Sequence, residues 1–127
     1  MSAATTSALH STLPQWFAVR EFLLPALDLA ATHSEADVLI GILEGSYQLW
    51  AGRRAAIVTE IKIYPKFKSI HFWLVGGEMK EVLDMEEPII KWSRDLGCTR
   101  ASAAGRKGWQ RVLEHWSFDS ITMTRKI

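Results

Sequence analysis

The sequence predicts an α/β (α+β) domain, with a mixed, mostly antiparallel central sheet and helices on both faces. Near the start of the chain, two stretches repeat apolar residues at spacings of three and four, as amphipathic helices do. From Tyr47 the period changes to two, which is typical of strands. After Gly77, helical and strand-like stretches alternate. We therefore expect the element order ααβββαβαβ.

Length and composition indicate one domain. The 127 residues are 48% hydrophobic and 23% charged, enough for one core and too few for two. Residues 1–12 are small and polar with nothing periodic to bury, so we expect a loose tail followed by a single domain at 13–127. The net charge of +1 gives no overall field that would favour nucleic acid or an acidic membrane.

The single cysteine, Cys98, excludes an internal disulfide and argues against a zinc site. We expect no metal and a small buried thiol. No apolar run reaches the roughly 18 residues that cross a bilayer, and the first residues lack the pattern of a secretion signal. These features predict a cytoplasmic or assembly-bound protein without a membrane partner.

The first two elements are helices. Pro14 suits a first turn, and the apolar stripe that follows continues to about Ala31, with a bend expected at Pro25. Ser34 can cap the second helix, which Gly45 would end.

Three strands should follow as an antiparallel meander. The first ends at the turn around Gly52, the second alternates from Ile57 to Tyr64, and Pro65 separates it from a third that begins at Ser69.

The last part of the chain predicts α, β, α, β. A helix after Gly77 should be kinked or restarted at Pro88 and stopped at Gly97. Residues 99–103 are small enough for a buried strand, residues 109–116 carry one apolar helical face, and residues 118–127 alternate as a closing strand.

With its predicted helices and strands in this order, the chain resembles the GNAT (GCN5-related N-acetyltransferase) fold. It resembles more closely the short GNAT-like proteins of tailed bacteriophages. The resemblance covers roughly residues 26 to 127. It rests on the ordered series Val75-Gly76-Gly77, Trp92-Ser93-Arg94-Asp95-Leu96-Gly97-Cys98, Gly105-Arg106-Lys107-Gly108-Trp109 and Met123-Thr124-Arg125-Lys126.

The resemblance implies a site for acetyl-coenzyme A between two splayed strands, with its pyrophosphate on the N-terminus of the following helix. The residues that would line it here are Leu74, Val75, Gly76, Gly77, Glu78 and Met79, and Arg106 would meet the 3′-phosphate. The family loop is usually Gln/Arg-x-x-Gly-x-Gly/Ala, whereas this chain has Leu-Val-Gly-Gly without a basic residue before the first glycine. A carboxylate at Glu78 would repel a pyrophosphate, and its structural interpretation is an acid at a helix N-terminus.

Direct acetyl transfer needs a base for the amine and a proton donor for the thiolate. Glu60 and His71 are the candidate bases, and His115 is the candidate donor because the last helix has no tyrosine. Glu60 could instead be an exposed strand carboxylate that pairs with Lys62 or Lys68.

Two functions follow from the resemblance. The first is an acetyl-CoA-dependent N-acetyltransferase of phage type, acting on an unidentified small-molecule or protein amine. The second is a catalytically silent virion or host-interaction protein that uses the fold as a protein-binding scaffold, in the virion or in the host cytoplasm. Either could form a homo-oligomer.

The sequence disfavours nucleic acid as a partner. The net charge is small, and the basic hairpin side is not expected to have aromatic residues interleaved with its charges. That side comprises Arg53, Arg54, Lys62, Lys66 and Lys68.

Overall fold

A computed structural model describes residues 3–103, 116–117 and 125–127. Within them lie three helices and a four-stranded mixed sheet, which confirms the α/β class. The elements are α1 (Ala3–Ala30), α2 (Glu35–Leu43), β1 (Tyr47–Ala51), β2 (Ala55–Ile63), β3 (Lys68–Gly77), α3 (Met79–Asp95) and β4 (Arg100–Ala103). The last helix and closing strand predicted from the sequence lie mostly outside the described residues.

The strands are ordered β1-β2-β3-β4 across the sheet. The first three pair antiparallel, which confirms the predicted meander, and β3 pairs parallel with β4. Helix α3 forms the crossover that a parallel pair requires. It runs unbroken through Pro88, so the kink or restart expected there does not divide it.

Helix α1 begins at Ala3, well before the predicted start, so residues that we expected in a loose tail are helical. The physical reason lies in the buried stripe of Trp16, Val19, Leu23 and Leu27, which fixes the helix on the sheet. Once a helix is nucleated, each added residue gains a hydrogen bond at small cost, and alanine-containing segments extend readily.

Helix α2 has the predicted ends. Ser34 and Asp37 form a reciprocal capping box, and Gly45 follows the helix with a φ of 84°. Glu35 also ties α2 to α1, because one carboxylate oxygen accepts from Trp16 Nε1 at 2.7 Å and both accept from Arg20 at 2.7 and 2.8 Å. The hydrogen bonds from Arg20 and then from Trp16 lower the pKa of Glu35 to about 2.

The sheet has two differently covered faces. The face packed against α1 and α2, here called the α1 face, contributes Ala56, Val58 and Leu74 to one buried cluster. The opposite face, here called the α3 face, contributes Ile57, Phe72 and others to a second cluster with α3.

A β-bulge changes the register of β3 against β2. Val58 pairs with Leu74 and Thr59 pairs with Phe72, so Trp73 is the extra residue. The Trp73 ring packs against Tyr47 at 4.9 Å between centroids. The bulge thus divides β3 into a first half, residues 68–72, and a second half, residues 73–77.

Strand β4 differs from the buried strand that we expected. Arg100, Ser102 and Ala103 are exposed, and Ala101 is half-buried. The strand pairs with β3 on one side, and only Ala101 contributes to the α3-face cluster. None of the helices within residues 3–103 combines the length and the apolar character that a membrane span requires.

Candidate functional site

A row of four polar side chains crosses the sheet. Tyr47 of β1 pairs with Glu60 of β2, Glu60 pairs with His71 of β3, and His71 pairs with Ser102 of β4. Directly paired residues in neighbouring strands project to the same side of a sheet. The four residues, here called the polar row, therefore share the α1 face, next to the apolar cluster.

His71 is the best-defined member of the polar row. Its Nδ1 lies 2.8 Å from Ser102 Oγ, within hydrogen-bonding distance. Burial of the ring, followed by the positive charge of Lys62, lowers the pKa of His71 to about 4. The imidazole is therefore neutral at physiological pH and can accept a proton.

Tyr47 and Glu60 complete the other end of the row. Burial raises the pKa of the Tyr47 hydroxyl, and the negative charge of Glu60 raises it further. The pairing of Glu60 with Lys62 or Lys68 is not formed among the described residues; Lys68 Nζ instead donates to the Leu96 carbonyl oxygen at 2.8 Å. Glu60 is half-buried, and neither of the ion pairs found in the described part of the chain involves its carboxylate.

The two glycines at the end of β3 have structural roles. A Cβ atom at Gly76 would overlap the backbone carbonyl oxygen of Phe22 and lie 2.8 Å from its carbonyl carbon, so α1 packs directly on Gly76. Gly77 has a φ of 104°, and a Cβ atom there would overlap the Arg54 carbonyl oxygen. Both glycines are thus required for close backbone packing, whether or not a ligand binds nearby.

The N-terminus of α3 follows these glycines. Glu78 is the N-cap residue and makes no side-chain capping hydrogen bond. Its backbone N–H donates to the Arg54 carbonyl oxygen at 2.8 Å, and its carboxylate lies 3.5 Å from the Arg54 guanidinium. Glu81 in the first turn accepts from the backbone N–H groups of Arg53 and Arg54.

The remaining residues predicted for cofactor binding differ in exposure. Leu74 is buried in the α1-face cluster, Val75 is half-buried against the α3-face cluster, and the Met79 side chain is exposed. Alternation along the strand therefore separates Leu74 and Val75 onto opposite faces of the sheet. The predicted cofactor residue Arg106 and the predicted acid His115 lie outside the described residues.

Of the predicted catalytic residues, the structure brings Glu60 and His71 together. Sequence reasoning missed Tyr47 and Ser102, because the signal that unites them is strand register, which the alternating pattern alone does not define. Cys98 is buried, and burial raises the pKa of its thiol, in agreement with the small buried residue that we expected.

The α3 face carries a separate open groove of about 350 Å³, lined by Trp50, Ala51, Glu81, Asp84, Met85, Pro88 and Ile89. It lies on the side of the sheet opposite the polar row. Within the part of the chain that the structure describes, no three His, Cys, Asp or Glu side chains are grouped as a metal site would require.

Comparison of the chain with protein-family models, with curated proteins and with solved structures gives no match.

Proposed function

We propose that this protein is a GNAT-type N-acetyltransferase that moves an acetyl group from acetyl-coenzyme A to an amine beside the polar row. The observation that carries the proposal is the position of His71. It pairs with Glu60 and contacts Ser102 one residue before the point where the described β3–β4 pairing ends, at Phe72 and Ala103. From that point β3 continues to Gly77 and leads into α3.

The neutral imidazole of His71 gives this position a base. The amine nitrogen attacks the thioester carbonyl carbon, His71 takes the proton that the nitrogen loses, and the carbon–sulfur bond breaks. The same proton then passes from His71 to the departing thiolate, so that the enzyme is restored. Ser102 Oγ lies within hydrogen-bonding distance of one ring nitrogen, and Glu60 is paired with His71 on the neighbouring strand.

The end of β3 would bind the acyl donor, acetyl-coenzyme A. The first-turn N–H groups of α3 follow an N-cap residue without a side-chain cap, and such groups favour an anion such as pyrophosphate. Because Glu78 pairs with Arg54, part of its negative charge is offset. Val75 is the residue of the second half of β3 that could contact the pantetheine arm, since Leu74 is buried under α1.

A second candidate is a catalytically silent GNAT-like scaffold that binds another protein. The structure around Gly76 and Gly77 favours this candidate. Close packing against the backbone of Phe22 and Arg54 explains why both positions are glycine, without a bound ligand. Under this alternative the side chains of the polar row have a structural role on the α1 face and take part in no reaction.

The test is calorimetric titration of the protein with acetyl-coenzyme A, with coenzyme A as a control, followed by an acetyl-transfer assay with a panel of amines. His71→Asn should retain binding and lose most of the transfer rate, because the base alone is removed. His33→Asn is the comparison variant, because the His33 ring contacts Tyr47 at the other end of the row, and Trp73, instead of His71. The absence of saturable binding at millimolar ligand would reject the enzyme and favour the scaffold.

A further inference from the structure

The turn between β2 and β3 forms a basic and aromatic projection, here called the hairpin tip. It comprises Lys62, Ile63, Tyr64, Pro65, Lys66 and Phe67, together with Arg100 from β4. Ile63 is 76% exposed and Tyr64 is 46% exposed. The backbone N–H of Tyr64 donates to the Phe67 carbonyl oxygen at 2.9 Å, so the turn is closed by a hydrogen bond.

The aromatic rings of the hairpin tip are fixed relative to one another. The Tyr64 and Phe67 centroids lie 4.9 Å apart with an angle of 35° between the rings. The Arg100 guanidinium lies over the Phe67 ring, with Cζ 4.0 Å from its centroid. The tip therefore offers a preformed aromatic surface with a cation already stacked on it.

The charged residues that the structure describes in the hairpin tip all have one sign. No Asp or Glu occurs from Ile61 to Gly77. Lys68 Nζ is engaged by the Leu96 carbonyl oxygen, whereas Lys62, Lys66 and Arg100 have no carboxylate partner among the described residues. Glu60 before the hairpin and Asp95 at the end of α3 are the acids nearest in the chain to these elements.

A stacked arginine remains able to bind phosphate. The guanidinium presents several N–H donors in its plane while one of its faces rests on an aromatic ring. Single-stranded nucleic acids are bound by this combination, with bases on aromatic rings and phosphates on lysine and arginine. The sequence-based objection that aromatic residues are not interleaved with the basic hairpin is wrong, because Tyr64 and Phe67 lie within it.

We propose that the hairpin tip binds single-stranded nucleic acid, with a base stacked on Tyr64 and the backbone phosphates on Lys66, Arg100 and Lys62. An anionic membrane fits the tip less well. The centre of the turn is Pro65-Lys66. A charged side chain, and not an apolar one, would therefore be the first to enter a membrane. The inference does not depend on acyl transfer at the polar row.

Salt sensitivity should report the number of phosphate contacts. For single strands, the logarithm of affinity falls with the logarithm of salt concentration by about 0.7 per phosphate neutralised. Three cations that have no carboxylate partner within the described ranges predict a slope of about −2. This weak, local electrostatic contribution is compatible with a chain whose net charge is only +1.

The experiment is fluorescence anisotropy of labelled oligo(dT) and oligo(rU), each of about 15 nucleotides, titrated with the full chain at several salt concentrations. Tyr64→Leu keeps an apolar side chain but removes the ring, and should weaken binding about tenfold. Lys66→Ala should reduce the steepness of the salt dependence by about 0.7. Lys80→Ala is the matched control, because it removes an exposed lysine from the first turn of α3, at the opposite end of the helix from Leu96, which Lys68 contacts next to the tip.

Two results would overturn the proposal. The first is the absence of saturable binding to either oligonucleotide at low salt. The second is an equal loss of binding in Lys66→Ala and Lys80→Ala, which would mean that only the overall charge matters. A parallel arm with phosphatidylserine-containing vesicles assigns the tip to membranes instead if vesicles bind, oligonucleotides do not, and Tyr64→Leu abolishes the vesicle binding. Far-UV circular dichroism of each variant checks that its fold is retained.

Discussion

The two halves of β3 share one strand but meet very different surroundings. The first half pairs with β2 and β4 and carries His71, whose side chain belongs to the polar row. The second half is pressed against α1, so that Leu74 is buried and Gly76 touches the backbone of Phe22. The polar side chains therefore lie on the first half, the close contacts with the α1 backbone lie on the second half, and the bulge at Trp73 separates the two.

The largest loss in the free energy of unfolding should come from a substitution in the second half of β3. Gly76→Ala places a methyl group against the carbonyl oxygen and carbonyl carbon of Phe22. Because these two atoms belong to the backbone of α1, the helix itself must move. We expect a loss of about 3 kcal/mol or more in the free energy of unfolding, measured by urea denaturation. Gly45→Ala is the control: its φ of 84° is unfavourable for alanine but nothing lies within 4 Å, so about 1 kcal/mol should be lost. Equal losses in the two variants would contradict close packing at Gly76.

The first half of β3 should instead make the free energy of unfolding depend on pH, because it carries His71. The pKa of His71 is about 4 in the folded chain and near its ordinary value of 6.5 when unfolded. Between these values the unfolded state binds the proton more readily, so the stabilisation is present above pH 6.5 and is lost as the pH falls toward 4. Because His71 is only partly buried, solvent screening reduces the full linkage value, and the wild-type chain should lose roughly 1 kcal/mol between pH 7 and pH 5 through His71.

The variants His71→Asn and Leu74→Ala separate the two halves in that experiment. His71→Asn should remove the pH-dependent part of the unfolding free energy. Leu74→Ala should lower stability by about 3 kcal/mol at both pH values, because it removes a buried side chain without a titrating group. The explanation fails if His71→Asn retains the full slope between pH 7 and pH 5.

The smallest loss in the free energy of unfolding should come from removing the contact between His71 and β4. Ser102→Ala removes a hydrogen-bond partner at an exposed position, and should lower the unfolding free energy by less than about 1 kcal/mol. The acetyl-transfer rate, if His71 is the base, should fall more than the stability does, because the ring loses its orienting partner. Ser102→Thr keeps the hydroxyl and should restore the rate; a rate that stays low would argue against this positioning role.

Much of the fold was predictable from local pattern. The capping box of α2, the turn after it and the meander of β1 to β3 follow from residue spacing and from backbone preferences that act over a few positions. Pro88 was less informative: the kink or restart predicted there does not divide α3, since tertiary packing of Val82, Ile89 and Ser93 offsets the lost hydrogen bond. The early start of α1 was also missed, because a polar segment can be helical when the helix behind it is held by packing.

The candidate site was only half predictable. Glu60 and His71 were recognised as residues with suitable side chains, but their pairing with each other, and with Tyr47 and Ser102, depends on register between strands that are distant in sequence. Gly76 and Gly77 were recognised as unusual, whereas their close contacts with α1 and with the preceding turn required the packed structure.

The sequence by itself determined the helix caps, the alternation of the strands and the residues able to take or give a proton, because these depend on side-chain chemistry and on neighbours a few positions away. Only the tertiary structure decided which face each strand residue occupies, which carboxylate meets Arg20, and why His71 is neutral. Those outcomes depend on burial and on contacts between distant segments, such as Glu35 with α1 and Arg100 with Phe67. Local pattern constrains such contacts too weakly to specify them.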